Sequence, residues 1–239
     1  MATSLNSGPH VVAANLTDNS ATAEHNLGEL VRSPDGRTYR YARAGELLVP
    51  GTLLQAPAEI TNHQNLTPAA AAIGATSVTV TLGGTAATAN QYAGGYLVGT
   101  ETPGEGQMYL IKSHPAQTNG SGTLAIEISD PIVVALTSSS HVDLVLNQYS
   151  GVIINPASAS SNPVGVAVTA ITASQFGWIQ VGGVANILAD GTVTVGTAVV
   201  ASNATAGAVE ALTGVQAAIG NAVSGIATTE YGPIALFLN

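Results

Sequence analysis

Hydrophobic and polar residues alternate in three short stretches near the middle of the chain. In Ser77–Leu82 valine and leucine alternate with serine and threonine, and a similar period of two recurs in Leu124–Ser129 and in Val142–Asn147. Successive side chains of a β-strand point to opposite faces of the sheet, so this period is typical of a half-buried antiparallel strand. The alternation therefore predicts β-strands in all three stretches.

Turn-forming residues separate the strand-like runs. Ser33-Pro34-Asp35-Gly36 lies between Leu27–Arg32 and Arg37–Arg43, where proline presets φ, aspartate caps the turn and glycine accepts a positive φ. This motif predicts a β-hairpin. The same reasoning predicts a hairpin around Pro103–Gly106, with arms at Tyr96–Glu101 and Met108–Ser113, and two short strands at Glu46–Val49 and Thr52–Gln55, separated by Pro50-Gly51.

Short apolar runs separated by glycine continue to the C-terminus and predict further strands. They are Val164–Ile171, Phe176–Val181, Thr192–Val200, Ala208–Leu212 and Pro233–Leu238. Val215–Ile226 contains both alanine and glycine, and we interpret it as strand. The one predicted helical turn follows Pro68, because proline is tolerated at a helix N-terminus and four alanines come next.

These elements predict an all-β chain of the antiparallel sandwich or small-barrel type, with two β-rich parts and an extended N-terminal arm. Residues 1–26 are polar and irregular, which predicts the arm. Small turn-forming residues between two prolines make Asn155–Pro163 the expected domain boundary. The expected divisions are therefore an arm at 1–26, an N-terminal β region at 27–155 and a C-terminal β domain at 156–239.

Charge is scarce in this chain. Only 8% of the 239 residues are charged and the net charge is −9, whereas ordinary domains have about 25% charged residues. A surface covered mainly by small uncharged residues suits burial in an assembly. The sequence pI near 4.7 argues against nucleic-acid binding, and no apolar run is long enough to predict a membrane span or a secretory signal.

The residues that commonly perform catalysis or bind metals are dispersed. The chain has no cysteine, and its five histidines show no metal-type spacing. Glu101 and Glu105 share a glycine-rich loop, but calcium needs more oxygen ligands than two carboxylates supply. No phosphate-binding or nucleophile motif occurs. We therefore expect no catalytic residues, no cofactor, no metal and no enzymatic activity.

Four of the five basic residues lie in one segment, which supplies the candidate partner interface. Residues 1–44 contain four arginines and four acids, giving zero net charge, whereas residues 45–239 contain Lys112 and ten acids, giving −9. Interleaved arginine and tyrosine favour protein interfaces. An ordinary hairpin surface and nucleic-acid stacking remain open as alternatives. The candidate residues are Arg32, Arg37, Tyr39, Arg40, Tyr41 and Arg43.

Several short motifs in residues 74–239 resemble structural proteins of tailed-phage virions, most of all head decoration (cement) proteins. These motifs are Gly74–Leu82, Tyr92–Tyr96, Gly104–Gly106 with Tyr109, Asn147–Tyr149, Phe176–Trp178 and Asp190–Val195. The resemblance lies in short motifs and general composition, and it assigns no functional site to particular residues of this chain. It implies a β-rich, non-enzymatic and often trimeric protein that binds the major capsid protein.

The resemblance and the composition together predict a phage capsid decoration protein. We expect it to be made in the host cytoplasm, to form a homo-oligomer with a trimer favoured, and to bind the outside of the capsid shell through the arm and Arg32–Arg43. One alternative is a tail, baseplate or fibre protein. Another is a host-surface glycan-binding module that stacks sugars on Tyr92, Tyr96 and Trp178. Hydrolytic activity would require histidine and carboxylate side chains to converge.

Overall fold

The computed structural model describes residues 15–238, which form fifteen β-strands, one 3-10 turn at Thr61–His63 and no α-helix. The all-β prediction is confirmed. In chain order the strands are β1 (Leu30–Arg32), β2 (Thr38–Ala44), β3 (Leu53–Gln55), β4 (Ser77–Thr81), β5 (Tyr96–Glu101), β6 (Met108–Ser113), β7 (Thr123–Ile128), β8 (His141–Val145), β9 (Ser150–Ile154), β10 (Pro163–Ala167), β11 (Phe176–Leu188), β12 (Ala198–Ala201), β13 (Val209–Ala211), β14 (Gly220–Ala222) and β15 (Tyr231–Phe237).

The chain divides into two compact units, and the second is inserted into the first. The first unit consists of Met1–Ala58 and Gln148–Asn239, and the second is Glu59–Asn147. The expected boundary at Asn155–Pro163 was wrong, because this segment is a loop inside the first unit. There Asn155 is buried, and Gln55 Nε2 donates a hydrogen bond of 2.9 Å to Ser160 Oγ. Small turn-forming residues are as typical of this connection from β9 to β10, which passes β3, as they are of a linker between domains.

The first unit contains a small barrel. Its strands pair in the cyclic order β2, β9, β3, β10, β11 and back to β2, and every pairing in this ring is antiparallel except β2 with β9. The interior of the ring is filled by aliphatic side chains, among them Leu54, Val152 and Ile179, which are fully buried. Closure gives each strand of the ring a paired neighbour on both sides.

Strand β11 is long enough to belong to a second group of strands in the same unit. Its first part pairs with β2, and from Gly182 onward it pairs with β15, after which the order continues β14, β12, β13. A bridge between Ala189 and Val209 brings the two ends of this group together. Ile187, Val199 and Ile234 fill the space between them.

The second unit is a five-stranded antiparallel sheet in the order β4, β7, β6, β5, β8. The segment around Leu66–Pro68 joins its two edges, because Leu66 bridges Val142 of β8 and Pro68 bridges Val80 of β4. The hydrophobic residues that alternate in the sequence point inward here, as predicted. The hairpin of β5 and β6 is also confirmed, with both strands at their expected limits.

Several local predictions differ from the structure. In the predicted strand Thr192–Val200, the observed strand begins only at Ala198. Residues after Pro68 form no helical turn, because Pro68 and Ala71 are held in isolated β-bridges to Val80 and Leu136. Within Glu46–Val49 only Leu48 makes a β-bridge, to Ile171. Within Val215–Ile226 the strand covers only Gly220–Ala222, with a further bridge at Ile226.

The N-terminal segment is attached to the first unit wherever the structure describes it. Residues 1–14 of the expected arm lie outside the described residues. Ser20 exchanges backbone hydrogen bonds with Phe176, and Asn19 Nδ2 donates a hydrogen bond of 2.6 Å to the carbonyl of Ala170. Residues 15–26 therefore form part of the surface of their own unit.

The core of the second unit should respond to cavity formation. Ile126 on β7 is fully buried, whereas Met108 on the neighbouring β6 is 62% exposed. We expect Ile126→Ala to lower the free energy of unfolding by about 2–5 kcal/mol and Met108→Ala to change it by about 0.5 kcal/mol or less. Urea unfolding of both variants measures the difference. Equal losses would contradict the assigned faces of β6 and β7.

Candidate functional site

The predicted arginine hairpin exists, and its turn is built as the sequence indicates. Strands β1 and β2 pair antiparallel around a turn in which Gly36 has a φ of +88°. The Asp35 carboxylate accepts hydrogen bonds from the backbone N–H of Arg37 at 3.2 Å and from its Nε–H at 2.6 Å. The backbone hydrogen bond from Arg37 is the main cause that lowers the pKa of Asp35.

The two tyrosines of the candidate interface are buried inside the first unit. Tyr39 is 1% exposed and Tyr41 is 3% exposed, and both pack with Val31 and Trp178. The described N-terminal segment covers Tyr41, whose hydroxyl accepts a hydrogen bond of 3.2 Å from the backbone N–H of Glu24. Alternation along β2 cannot reveal this cover, because the covering residues come from elsewhere in the chain. These tyrosines are unavailable to a partner.

Arg40 is also used internally. Its Nη1 donates a hydrogen bond of 2.7 Å to the carbonyl of Gly28, and its guanidinium lies 5.5 Å from the centre of the Tyr149 ring. Arg32 and Arg43 are exposed, and Arg37 is half-buried. Arg43 stands six residues along β2 from Arg37, which is roughly 20 Å in a strand. The six candidates therefore do not form one surface.

Arg37 borders a concave feature of the first unit. We call this feature the Arg37 groove. It has a volume of about 570 Å³, a floor that includes Val166, Gln180 and Ala185, and a rim that includes Arg37, Val184 and Tyr231. Tyr231 was not singled out from the sequence. The alternation of residues along β15 could have identified it as an outward-facing residue, because Tyr231 and Phe237 occupy odd positions whereas the buried Ile234 and Leu236 occupy even ones.

The three rings considered for sugar stacking do not form a cleft. Tyr92 and Trp178 are buried, and only Tyr96 is substantially exposed. Tyr92 and Tyr96 belong to the second unit, whereas Trp178 packs in the first. The burial of Tyr92 and Trp178 thus excludes a glycan-binding site built from these three residues.

Histidines and carboxylates meet only in isolated pairs among the described residues. His25 Nδ1 lies 3.2 Å from Glu29 Oε1, and His141 Nδ1 lies 2.9 Å from Glu101 Oε2. Within residues 15–238 no group of three potential metal-ligating side chains comes together.

A polar network of two histidines and a tyrosine is buried in the second unit. His63 Nδ1 accepts a hydrogen bond from the Tyr92 hydroxyl, and its Nε2–H donates to the carbonyl of Thr85 at 2.8 Å. His114 Nε2 accepts from the Tyr92 backbone N–H at 3.0 Å, and its Nδ1–H donates to the carbonyl of Pro115 at 2.8 Å. Both rings are satisfied in the neutral form. Their burial indicates a structural role.

Burial shifts the pKa values of two members of this network, His114 and Tyr92. Desolvation lowers the pKa of His114 below its usual 6.5, and the neighbouring His63 adds to the effect. Desolvation also raises the pKa of the Tyr92 hydroxyl above its usual value. His114 and Tyr92 are therefore uncharged at neutral pH.

Comparison with protein-family models, with curated proteins and with solved structures found no match for this chain. Between residues 15 and 238 the structure contains no helix that is long and apolar enough to cross a membrane. What the chain does must therefore be inferred from its surfaces.

The arginines of the hairpin should differ in their effect on stability. We expect Arg40→Gln to lower the free energy of unfolding by about 1–3 kcal/mol, because it removes a charged hydrogen-bond donor from the Gly28 carbonyl and a cation from the Tyr149 ring. Arg43→Gln, at an exposed position of the same strand, should change stability by about 0.5 kcal/mol or less. Thermal and urea unfolding test this. A neutral Arg40→Gln would contradict the structural role.

The second unit should lose stability in acid. As pH falls below 6.5, His114 binds a proton in the unfolded chain but resists it in the folded protein, so the free energy of unfolding decreases. Above pH 7 both states are neutral at this site and it contributes no pH dependence. Hydrogen exchange of β5 and β6 amides between pH 7.5 and 5 measures the slope. His114→Gln should reduce the slope, and an unchanged slope would contradict the assignment.

Proposed function

We propose that this protein is a non-enzymatic structural protein of a tailed-phage virion that binds the outside of the capsid shell and stabilises it. The partner is the major capsid protein, and the protein acts as a homo-oligomer, with a trimer favoured. It is made in the host cytoplasm and ends on the capsid surface. The proposal rests on the resemblance of its short motifs to decoration proteins and on the character of its exposed strand faces.

The observation that carries the proposal is an apolar row on the outer face of the second unit. Tyr96 pairs with Val145 on one side and with Leu110 on the other, and all three side chains are exposed. Val98 and Met108 form the next pair along the same face. Contiguous exposed apolar side chains on a soluble domain mark interaction surfaces. We define these five residues as the Tyr96 face.

The scarcity of charge supports the same proposal. The second unit contains six acids and one lysine, giving a net charge of −5. The five residues of the Tyr96 face are uncharged, and Asp143 borders them as the cross-strand partner of Val98. A closed sheet holds the side chains of this face in fixed positions, so little conformational entropy is lost when they meet a partner. A protein that binds the assembled shell in preference to free subunits stabilises the shell by mass action.

Binding to capsid shells tests the proposal directly. The shells would be assembled from the major capsid protein encoded in the same genome as this chain. We expect the protein to co-sediment with the shells to saturation and to raise their disassembly temperature. Cryo-electron microscopy of intact virions would locate the density of this protein on the shell or on the tail. Absence of co-sedimentation, or density on the tail alone, would refute the proposal.

A matched pair of variants tests the role of the Tyr96 face. Tyr96→Lys places a charge in the centre of the face and should weaken shell binding, or oligomerisation measured by light scattering, by at least about tenfold. Ala125→Lys adds the same charge at an exposed position of β7, outside the Tyr96 face, and should leave both unchanged. Equal behaviour of the two variants would show that the Tyr96 face is not the contact.

A further inference from the structure

The Arg37 groove is shaped by an exchange of strand partners. Gly182 of β11 pairs with Thr38 of β2 and also with Phe237 of β15, so the sheet opens at this position. Gly183 has a φ of +75°, and a Cβ atom there would lie 2.9 Å from the Cα of Arg37. The glycine thus allows Arg37 to approach β11 closely. The groove is consequently a fixed feature of the backbone.

Tyr231 forms an aromatic wall of the groove. A Cβ atom at Gly51 would lie 2.6 Å from the Tyr231 ring, so the ring rests directly on the backbone of the Pro50-Gly51 turn. The ring is nevertheless 49% exposed, and Val184 nearby on the rim is 48% exposed. A ring supported on one side and open on the other is a ready contact for an apolar side chain.

The polar groups of the groove define the charge of its occupant. Arg37 is the one formally charged residue that lines it, in a unit where eight acids outnumber four arginines. Asp35 engages the Nε of Arg37, and no described residue accepts a hydrogen bond from its two terminal nitrogens. The groove is therefore a place where a carboxylate can meet a cation on an otherwise acidic protein.

The floor of the groove argues for a polypeptide segment as the occupant. The Gln180 amide already donates to the carbonyls of Gly182 and Val184, at 3.0 and 2.9 Å. The other floor residues Val166 and Ala185 are buried and aliphatic. Such a floor provides few partners for sugar hydroxyls, and a single arginine is a weak basis for binding a phosphate backbone. It suits an aliphatic or aromatic side chain.

We propose that the Arg37 groove binds an extended segment of a partner protein that presents an aliphatic or aromatic side chain beside an Asp or Glu carboxylate. The apolar side chain lies against Tyr231 and Val184, and the carboxylate accepts hydrogen bonds from the terminal nitrogens of Arg37. This site lies in the first unit and is separate from the Tyr96 face. It does not depend on the partner being a capsid protein.

Selection from a random peptide library displayed on filamentous phage tests the proposal with the full-length protein as bait. We expect enriched peptides to share an aliphatic or aromatic residue next to Asp or Glu. A synthetic enriched peptide should shift the NMR signals of β11, β15 and the Pro50-Gly51 turn. Enrichment of peptides without acids, no enrichment, or shifts elsewhere would overturn the proposal.

Two substitutions of opposite charge at one exposed position, Val184, distinguish recognition of a carboxylate from simple apolar contact. Val184→Asp should weaken binding of the enriched peptide at least about tenfold through repulsion of its carboxylate, whereas Val184→Lys should bind as tightly as the wild type or better. Both changes are made at a half-exposed rim position, so folding is expected to survive in each. Equal weakening by both would refute recognition of the carboxylate.

A second pair tests the aromatic wall and the arginine. Tyr231→Phe keeps the ring and should retain binding, whereas Tyr231→Ala should weaken it about tenfold. Arg37→Gln should weaken binding similarly, and Arg32→Gln, at an exposed position on the other arm of the hairpin, should not. The shell-binding experiment is scored separately. Peptide binding without shell binding would refute only the decoration function, and shell binding without peptide selection would refute only the groove.

Discussion

Strand β11 organises the first unit because its thirteen residues take part in both groups of strands. Its first half closes the ring through β2 and β10, and its second half pairs with β15. The exchange occurs at Gly182 and Gly183. At Gly183 a side chain would approach the Arg37 backbone too closely and require a disfavoured φ. The closed ring, the second group of strands and the groove beside Arg37 therefore share one cause.

Closed sheets also explain how the protein can be stable with so few charged residues. In both units most backbone polar groups are paired within a ring or a bridged sheet, so stability depends on hydrogen-bonded strands and aliphatic cores. The core of the second unit also contains polar side chains. His63, Tyr92 and His114 are buried there with complementary hydrogen-bond donors and acceptors. Burial lowers the pKa of His114 and raises that of Tyr92, so both directions favour the neutral form.

Alternation in the sequence predicted which residues of β4 and β7 face the core, and turn chemistry predicted the hairpins of β1 with β2 and β5 with β6. Both signals are local. The insertion of Glu59–Asn147 between two halves of the first unit depends on pairings such as β2 with β9, which no local period specifies. The burial of Tyr41 under the described N-terminal segment has the same origin. Arg37 was therefore found from the sequence and Tyr231 was not, since only the fold brings them to one groove.

The distribution of acids limits how this protein can meet a partner. The first unit carries eight acids and four arginines, a net charge of −4, and the second carries six acids and one lysine, a net charge of −5. Copies approaching each other are repelled, and at physiological salt this repulsion extends over roughly 8 Å. Contact is thus favoured on apolar side chains, as on the Tyr96 face, or where a cation is offered, as at Arg37. The uncharged Tyr96 face tolerates an identical acidic copy as a neighbour, whereas the Arg37 groove attracts an acidic segment. One chain can therefore make two contacts with different partners.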